Sequence, residues 1–212
     1  YWNPQLLHNP LLKVCQGYDS TGDLYKLPNV ISFIKQCGKS SCSLVTADGG
    51  FDYTQDFEQE LASRSLIYSE IMIALNIQQP GGTFVCKLFD MFYPSTQQLL
   101  FVLYLSYESI TFIKPNTSRQ SNSEKYIVCR GFKGYNKQLS NLLCNSFGQS
   151  LLPIQLPPEF TSMINTYQTH FVNHQCMRID STLRLISHKR VTEKPSHQQI
   201  KLAKDWCKMY HI

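Results

Sequence analysis

Residues 83–89 read TFVCKLF, an apolar run that carries a single charge, on Lys87. The run is rich in β-branched and aromatic residues and follows Pro80-Gly81-Gly82, and both features predict a buried strand. Similar runs recur at three further places, 43–47 (SLVTA), 110–113 (ITFI) and 126–129 (YIVC). Because helical patterns separate these runs, the sequence predicts an α/β fold with a mostly parallel sheet and helices on both faces.

Helical patterns follow three of the strands, at about 57–79, 95–107 and 137–147. A further helix is predicted to begin near Pro28, since proline suits the first turn of a helix, and a short strand is predicted near Val14–Tyr18. Beyond Pro153 the pattern changes to helices only, at about 159–175, 177–187 and 196–210. The sequence therefore predicts a core, 1–150, followed by a helical basic extension, 151–212.

The charge of the chain is concentrated in this extension. The 212 residues include 20 lysines and arginines and 15 acidic residues, a net charge of +5. Residues 1–160 hold 12 of each sign, whereas residues 161–212 hold 8 basic and 3 acidic residues. This asymmetry favours a phosphate-rich partner, although a solvated helical face is the more common origin of such a pattern. Hydrophobic residues make up 42% of the chain, which excludes general disorder.

The cysteines and the apolar runs indicate an intracellular protein. The eight cysteines form no CxxC pair, and Cys86 and Cys129 lie in apolar strands, which favours reduced thiols over disulfides or a zinc site. His170, His174 and Cys176 form an H-x3-H-x-C cluster without a second ligand pair, so we expect no metal. No apolar run reaches the roughly 18 residues of a membrane span, and the N-terminus does not read as a signal peptide.

Three ionisable residues fall at or just past the ends of predicted strands: Asp48, Lys87 and Glu124. Ligand sites in open parallel sheets form at the carboxyl ends of the strands. A lysine inside a buried strand needs either a carboxylate partner, as in a structural ion pair, or a function. To act as a general base, Lys87 needs a lowered pKa. The two carboxylates raise that pKa, so a further cation is required, either a second lysine or the charged sulfur of a methyl donor.

Four segments of the sequence carry a family resemblance. They are GDLYKLPNVISF (22–33), TADGGFD (46–52), GGTFVCKLFDMF (81–92) and KPNTSRQSNSEKYIVCRGFKG (114–134). In matching order and spacing, they resemble the RrmJ/FtsJ-like ribose 2′-O-methyltransferases, and most closely the eukaryotic and viral cap-specific mRNA enzymes. The resemblance covers about 1–150. It implies a Rossmann-like methyltransferase fold that uses S-adenosylmethionine as its cofactor.

The resemblance also implies catalytic and cofactor-binding residues. Asp48, Lys87 and Glu124 match three members of the family's Lys-Asp-Lys-Glu tetrad, in which Lys87 takes the position of the general base. Asp23, with Leu24 beside it, matches the acidic residue that contacts the adenosine end of the cofactor. Asp48 also lies where the family places the methionine end.

The implied substrate is a ribose 2′-OH near the 5′ cap of mRNA, a group that RNA has and DNA lacks. Lys114, Ser118 and Arg119 belong to a KP-x-(T/S)-SR signature that would hold RNA phosphates. Expected partners are capped mRNA, the remaining N-terminal portion of the same chain and other capping or transcription proteins, with no membrane. The expected location is the nucleus for a cellular enzyme, and the host-cell cytoplasm or virion for a viral one.

The sequence departs from the family on its N-terminal side. Family members open with a first strand, a glycine-rich cofactor turn and the first tetrad lysine, whereas no glycine-rich cluster precedes Asp23. The chain is therefore either the C-terminal part of a longer catalytic domain or a degenerate homologue that serves as a non-catalytic RNA-binding scaffold. The missing initiator Met favours the first alternative. A ribosomal or transfer RNA 2′-O-methyltransferase is a further alternative within the same enzyme class.

Overall fold

The structure is a computed structural model that describes residues 9–50, 59–187 and 195–210. Its described helices are α1 (Leu27–Cys37), α2 (Gln59–Ile77), α3 (Pro94–Ser106), α4 (Lys137–Asn145), α5 (Pro158–Ser187) and α6 (His197–Tyr210). Its described strands are β1 (Cys42–Ala47), β2 (Gln78–Leu88), β3 (Tyr107–Ile113) and β4 (Lys125–Phe132). The predicted start of the second helix, at 57, lies outside the described residues. No helix in the described ranges is long and apolar enough to cross a membrane.

The four strands form one sheet in the order β1-β2-β4-β3. β1 pairs with β2 in parallel, whereas β4 runs antiparallel to both of its neighbours, β2 and β3. Three strands therefore point in one direction, and β4 lies between two of them in the opposite direction. The predicted α/β class is confirmed. The sheet is mixed because the loop 114–124 returns the chain from β3 into an adjacent strand without a crossover helix.

The two faces of the sheet differ in how they are covered. On one face, Phe84 and Cys86 are fully buried under α2. On the other face, Leu44 is 59% exposed and Val85 is half-buried. Side chains alternate along a strand, so neighbours such as Cys86 and Lys87 point to opposite faces. The sequence predicted helices on both faces, and among the described residues the face that carries Phe84 and Cys86 is the more deeply buried.

The segment before α1 is a loop, so the prediction of a strand near Val14–Tyr18 is wrong. The Asn29 side chain at the start of α1 holds this loop. Its Oδ1 accepts the backbone N–H groups of Tyr18 at 2.8 Å and Asp19 at 3.1 Å, and its amide donates to the Asp23 carbonyl at 2.9 Å. Such local side-chain hydrogen bonds give the backbone an alternative to a strand ladder.

The helix α5 packs on the core. The two helices predicted between 159 and 187 form one continuous helix, since no proline or glycine interrupts it. Phe160 packs edge-on against Phe101 of α3, with 4.9 Å between the ring centroids. Gln168 is 2% exposed and accepts a backbone N–H from the segment after β2 at 3.0 Å. The predicted boundary at 150 stays a prediction, while the first half of α5 contributes to the same buried interior.

Candidate active site

Lys87 and Asp48 form the centre of the candidate site. β1 and β2 lie side by side in parallel, with Ala47 opposite Cys86, so the next residue of each, Asp48 and Lys87, lies at the same level. The Lys87 Nζ is 2.7 Å from the Asp48 Oδ1. The Lys87 side chain is 19% exposed and the Asp48 side chain is 61% exposed. The pair is therefore accessible to a ligand from the carboxylate side.

The surroundings of Lys87 favour its protonated form. Burial lowers the pKa of Lys87, but the hydrogen bond and the charge of Asp48, together with Tyr126 and Glu124, outweigh burial and raise this pKa above its usual value. A lysine in this state accepts a proton only after a further positive charge lowers its pKa. In the folded site, as expected from the sequence, the two carboxylates alone therefore do not make Lys87 an effective base.

Glu124 lies at the end of the loop 114–124, and two side chains of this loop form hydrogen bonds with it. Ser118 donates its hydroxyl hydrogen to the Glu124 Oε1 at 3.1 Å. Lys114 donates to the backbone carbonyls of Asn122 at 2.9 Å and Glu124 at 2.5 Å. These bonds fix the end of the loop just before β4 and orient the Glu124 carboxylate.

The three residues predicted to hold RNA phosphates are placed differently from one another. The hydrogens of Lys114 and Ser118 are engaged inside the loop, whereas Arg119 is exposed to solvent. A direct phosphate contact therefore suits Arg119 best, and Lys114 contributes charge at a short distance. Their role toward RNA stays a prediction.

Sequence reasoning missed Tyr126 as a member of the site. Tyr126 lies opposite Lys87 in the register of β2 and β4. Burial raises the pKa of Tyr126, and the charges of Asp48 and Glu124 raise it further. The phenol therefore remains a hydrogen-bond donor beside two carboxylates. A signal was available in the sequence, because residues two apart in a strand, such as Glu124 and Tyr126, share a face.

Sequence reasoning also missed Glu70, which supports the site from α2. Its Oε1 accepts the Gly49 N–H at 3.0 Å, and its Oε2 accepts the Cys86 thiol hydrogen at a sulfur–oxygen distance of 3.6 Å. Gly49 follows Asp48 and Cys86 precedes Lys87, so one carboxylate contacts both strands that carry the central pair. A Cβ on Gly49 would lie 2.7 Å from Glu70 Oε1, so a side chain at this turn would displace the Glu70 carboxylate.

Asp23 and Leu24, the residues predicted to contact the adenosine end of the cofactor, lie in the loop before α1. The Asp23 Oδ1 accepts the Tyr25 N–H at 2.9 Å, and the Leu24 carbonyl accepts the Ser69 hydroxyl at 2.7 Å. Ser69 precedes Glu70 on α2, so adjacent residues of one helix hold this loop and the turn after Asp48. No hydrogen bond or ion pair among the described residues joins Asp23 or Leu24 directly to Asp48.

The histidines and cysteines of the extension form no metal centre in the described part of the chain. His170 and His174 lie one turn apart on α5, with 5.2 Å between their ring centroids. Within the described ranges, no three His, Cys, Asp or Glu side chains come together to hold a metal ion. The eight cysteines, all of which the structure describes, are free thiols.

The FtsJ-like methyltransferase family matches residues 4–132 of the chain. The chain belongs to this family. The matched region contains all four strands of the sheet and includes Asp48, Lys87 and Glu124, whereas α4, α5 and α6 lie beyond its end. Membership in the FtsJ-like family implies methyl transfer that depends on S-adenosylmethionine.

Relatives of this FtsJ-like chain include proteins named cap-specific mRNA (nucleoside-2′-O-)-methyltransferase 1. The protein from Trypanosoma brucei brucei is 44% identical over 126 residues, which is 58% of this chain and 34% of that protein. The Leishmania braziliensis protein is 36% identical over 136 residues, 63% of this chain and 34% of its own length. The Homo sapiens protein is 37% identical over 122 residues, 55% of this chain and 15% of its own length. The matched region thus spans about a third or less of these relatives.

Proposed function

We propose that this chain is part of an enzyme that methylates a ribose 2′-OH near the 5′ cap of mRNA. The observation that carries the proposal is the Lys87–Asp48 pair, 2.7 Å apart at adjacent parallel strands of an FtsJ-like domain, with Glu124 nearby. A partly buried lysine that a carboxylate orients at a strand end can remove a proton from a hydroxyl group once a nearby positive charge lowers its pKa. The relatives are named as cap-specific mRNA methyltransferases, and these names support capped mRNA as the proposed substrate.

The proposed mechanism assigns one proton transfer to the chain. Lys87 Nζ accepts the proton of the 2′-OH, which leaves the ribose oxygen as the nucleophile. Asp48 and Glu124 orient the ammonium and carry the compensating negative charge. Because they also raise the pKa of Lys87, a positive charge next to the bound ribose is needed to return this pKa toward the working pH.

The described residues fit the cofactor that the family implies. S-adenosylmethionine supplies an electrophilic methyl group and the positive charge of its sulfonium. The Asp48 carboxylate is 61% exposed, so it can accept hydrogen bonds from a cationic ligand while it pairs with Lys87. Asp23 and Leu24 would meet the adenosine end. In this arrangement Asp48 serves both the cofactor and Lys87, and Glu70 holds the turn on which it lies.

The proposed substrate and surroundings follow from the same chemistry. The target group requires RNA, so DNA is not a substrate. Arg119, with the charge of Lys114, would contact phosphates, and the partly covered face of the sheet would receive the remaining N-terminal portion of the catalytic domain. The proposed location is intracellular, in the nucleus or, for a viral source, in the host-cell cytoplasm or virion.

The decisive experiment measures methyl transfer to capped RNA by the full-length protein and its Lys87→Ala variant. We expect the variant to lose at least about 10³-fold in kcat, since it lacks the base and the charge of the site. Cofactor affinity and thermal stability should remain close to wild type, and Lys137→Ala on the exposed side of α4 is the matched control. Substantial activity in Lys87→Ala would contradict the assignment of Lys87 as the general base.

A second comparison measures methylation of capped and uncapped RNA of the same sequence. It distinguishes cap methylation from the methylation of ribosomal or transfer RNA.

The second candidate function is a non-catalytic RNA-binding scaffold. The observation that favours it is the absence of a glycine-rich turn before Asp23 in this sequence. Calorimetric titration of the full-length protein with S-adenosylmethionine distinguishes the two functions. Binding supports the enzyme, and a lack of binding supports the scaffold. The preserved Asp48–Lys87 pair favours the enzyme, because a scaffold gains little from a desolvated lysine at a strand end.

A further inference from the structure

A cavity of about 150 Å³ lies between the loop 114–124 and the helix α5. The described residues of its wall include two lysines, two histidines, one phenylalanine and four residues with amide or hydroxyl side chains, but no carboxylate. The cavity thus joins two parts of the chain, the loop that carries Glu124 and a helix beyond the end of the family match. Neither the proposed proton transfer nor the proposed cofactor contacts use it.

Lys125 is the buried charge of this cavity. Its side chain is 2% exposed, its Nζ donates to the Phe89 carbonyl, and the Asp90 carboxylate lies 3.6 Å from the same nitrogen. The Nζ is also 5.4 Å from the centroid of the Phe171 ring, which forms part of the wall. One of the three ammonium hydrogens therefore meets no oxygen acceptor among the described residues. A donor of this kind, surrounded by protein, attracts an anionic oxygen.

The second lysine of the wall, Lys114, adds to this positive charge. Burial lowers the pKa of Lys125 to about 8, which Asp90 opposes and Lys114 reinforces. Burial also lowers the pKa of Lys114, although Glu124 and Asp90 act in the opposite direction. The nearby carboxylates therefore do not fully offset the effect of burial on the pKa of the two lysines. An anion in the cavity would stabilise the charged form of both lysines.

The wall that α5 provides carries further hydrogen-bond donors. Gln175 donates to the Ser121 carbonyl at 3.1 Å and so ties the helix to the loop. His170 and His174 are exposed and line the cavity one turn apart. An imidazole has at least one N–H donor in either protonation state, so both rings can donate to a ligand from solvent.

We propose that this cavity binds a phosphate group of the RNA backbone, with Lys125 as the donor on the core side, His170 and His174 as donors on the α5 side, and Lys114 adding its positive charge. The proposal rests on the proposed function for the presence of RNA. Lys125 directly follows Glu124, and successive strand residues point to opposite faces, so the cavity lies behind the catalytic edge of β4. Residues of the loop 114–124 form one wall of the cavity, so an RNA chain whose target ribose reaches Glu124 passes along the loop that also lines the cavity.

The test compares three variants of the full-length protein, His170→Glu, His174→Glu and the control Asn173→Glu. Asn173 is exposed on the same helix but does not line the cavity. A carboxylate at the cavity would repel the phosphate, so we expect the two histidine variants to raise the KM for RNA about tenfold, with unchanged kcat and cofactor affinity. The control should stay within about twofold of wild type. Equal KM values for the histidine variants and the control would overturn the proposal.

Two further measurements distinguish an RNA phosphate from a free phosphate as the ligand of the cavity. Fluorescence anisotropy with a short labelled RNA measures binding without catalysis, so the cavity can be tested even if the wild-type protein methylates no RNA and the proposed function fails. Competition by inorganic diphosphate identifies the source of the phosphate. Weaker RNA binding by His174→Glu, together with displacement by diphosphate, supports an RNA phosphate site. If diphosphate binds at the cavity while His174→Glu binds RNA as wild type does, the ligand is a free phosphate and the proposal is wrong.

Discussion

At the scale of single residues, the site depends on how the charge of Lys87 is balanced. The pKa of Lys87 is raised because Asp48, with smaller contributions from Tyr126 and Glu124, outweighs burial. The base form of Lys87 is the active one in the proposed mechanism, so the rate should rise with pH through the pKa that Lys87 has in the complex. In the proposed mechanism, the residues around Lys87 therefore set the pH at which the rate rises.

Replacing Asp48 tests this balance. In Asp48→Asn the hydrogen bond can persist, but the negative charge that raises the pKa of Lys87 is absent. We expect the rising limb of kcat against pH to move to lower pH, with a lower plateau because the amide holds the ammonium less strongly. A pH–rate profile at saturating cofactor and RNA measures the shift. A limb that stays in place would mean that Asp48 does not control the titration of Lys87.

Glu70 provides a second prediction at this scale, because it holds the turn after Asp48. Glu70→Gln keeps an oxygen acceptor for the Gly49 N–H, whereas Glu70→Leu leaves that N–H without its partner. We expect Glu70→Leu to lower kcat about tenfold by loosening the position of Asp48, and Glu70→Gln to stay within about threefold of wild type. Steady-state kinetics and thermal unfolding measure the two effects separately. Equal kcat values for the two variants would contradict this role.

At the scale of elements, the sequence predicted most helices and strands but not how the strands pair. Apolar runs such as TFVCKLF and breakers such as Pro28 are local signals, so β2 and α1 were predictable. The reversed direction of β4 depends on the absence of a helix in the loop 114–124, and the position of β4 between β2 and β3 depends on long-range pairing. The spacing from Glu124 is a local signal for Tyr126, but only the pairing of β4 with β2 places Tyr126 beside Lys87, and the sequence did not predict that pairing.

The docking of α5 gives a prediction for stability. Gln168 accepts the Met91 N–H at 3.0 Å and donates to the Asp90 Oδ1 at 2.9 Å from a position that is 2% exposed. Gln168→Leu would leave the buried Met91 N–H without an acceptor, so we expect the free energy of unfolding to fall by about 1–3 kcal/mol. Urea unfolding measures this loss, and Thr169→Ala on the exposed side of α5 should change it by less than about 0.5 kcal/mol. A neutral Gln168→Leu would show that solvent reaches this contact.

At the scale of the whole molecule, the sheet-bearing part of the chain and α5 share one packed interior. Phe160 of α5 contacts Phe101 and Tyr104 of α3, with centroid distances of 4.9 and 5.4 Å. The sequence indicated a change of composition near 150 because prolines and an all-helical pattern follow. Composition does not reveal which face of a helix is buried, so the aromatic contact between α3 and α5 was not predictable from it.

This packing predicts different results for two C-terminal truncations. Removal of residues 195–212 deletes α6, whose side chains are largely exposed, and should change the unfolding temperature little. Removal of residues 158–212 also exposes the aromatic surface of α3 and should cost at least about 3 kcal/mol of stability. Circular dichroism melting of the full-length protein and the two truncated proteins measures both. A stable, active protein that ends at 157 would establish that α5 is dispensable for the fold.

Side chains alternate along β2, so neighbouring residues of this strand should be selected for different properties, some for folding and Lys87 for activity. Phe84, Cys86 and Leu88 contribute to the interior, whereas Lys87 points to the opposite face and pairs with Asp48. In a saturation mutagenesis experiment on residues 83–88, substitutions at the even positions should reduce the amount of folded protein in the cell. Substitutions at Lys87 should leave abundance unchanged and abolish catalysis. Abundance should therefore be lost at positions 84, 86 and 88, whereas catalysis without loss of abundance should be lost at Lys87, between two of them.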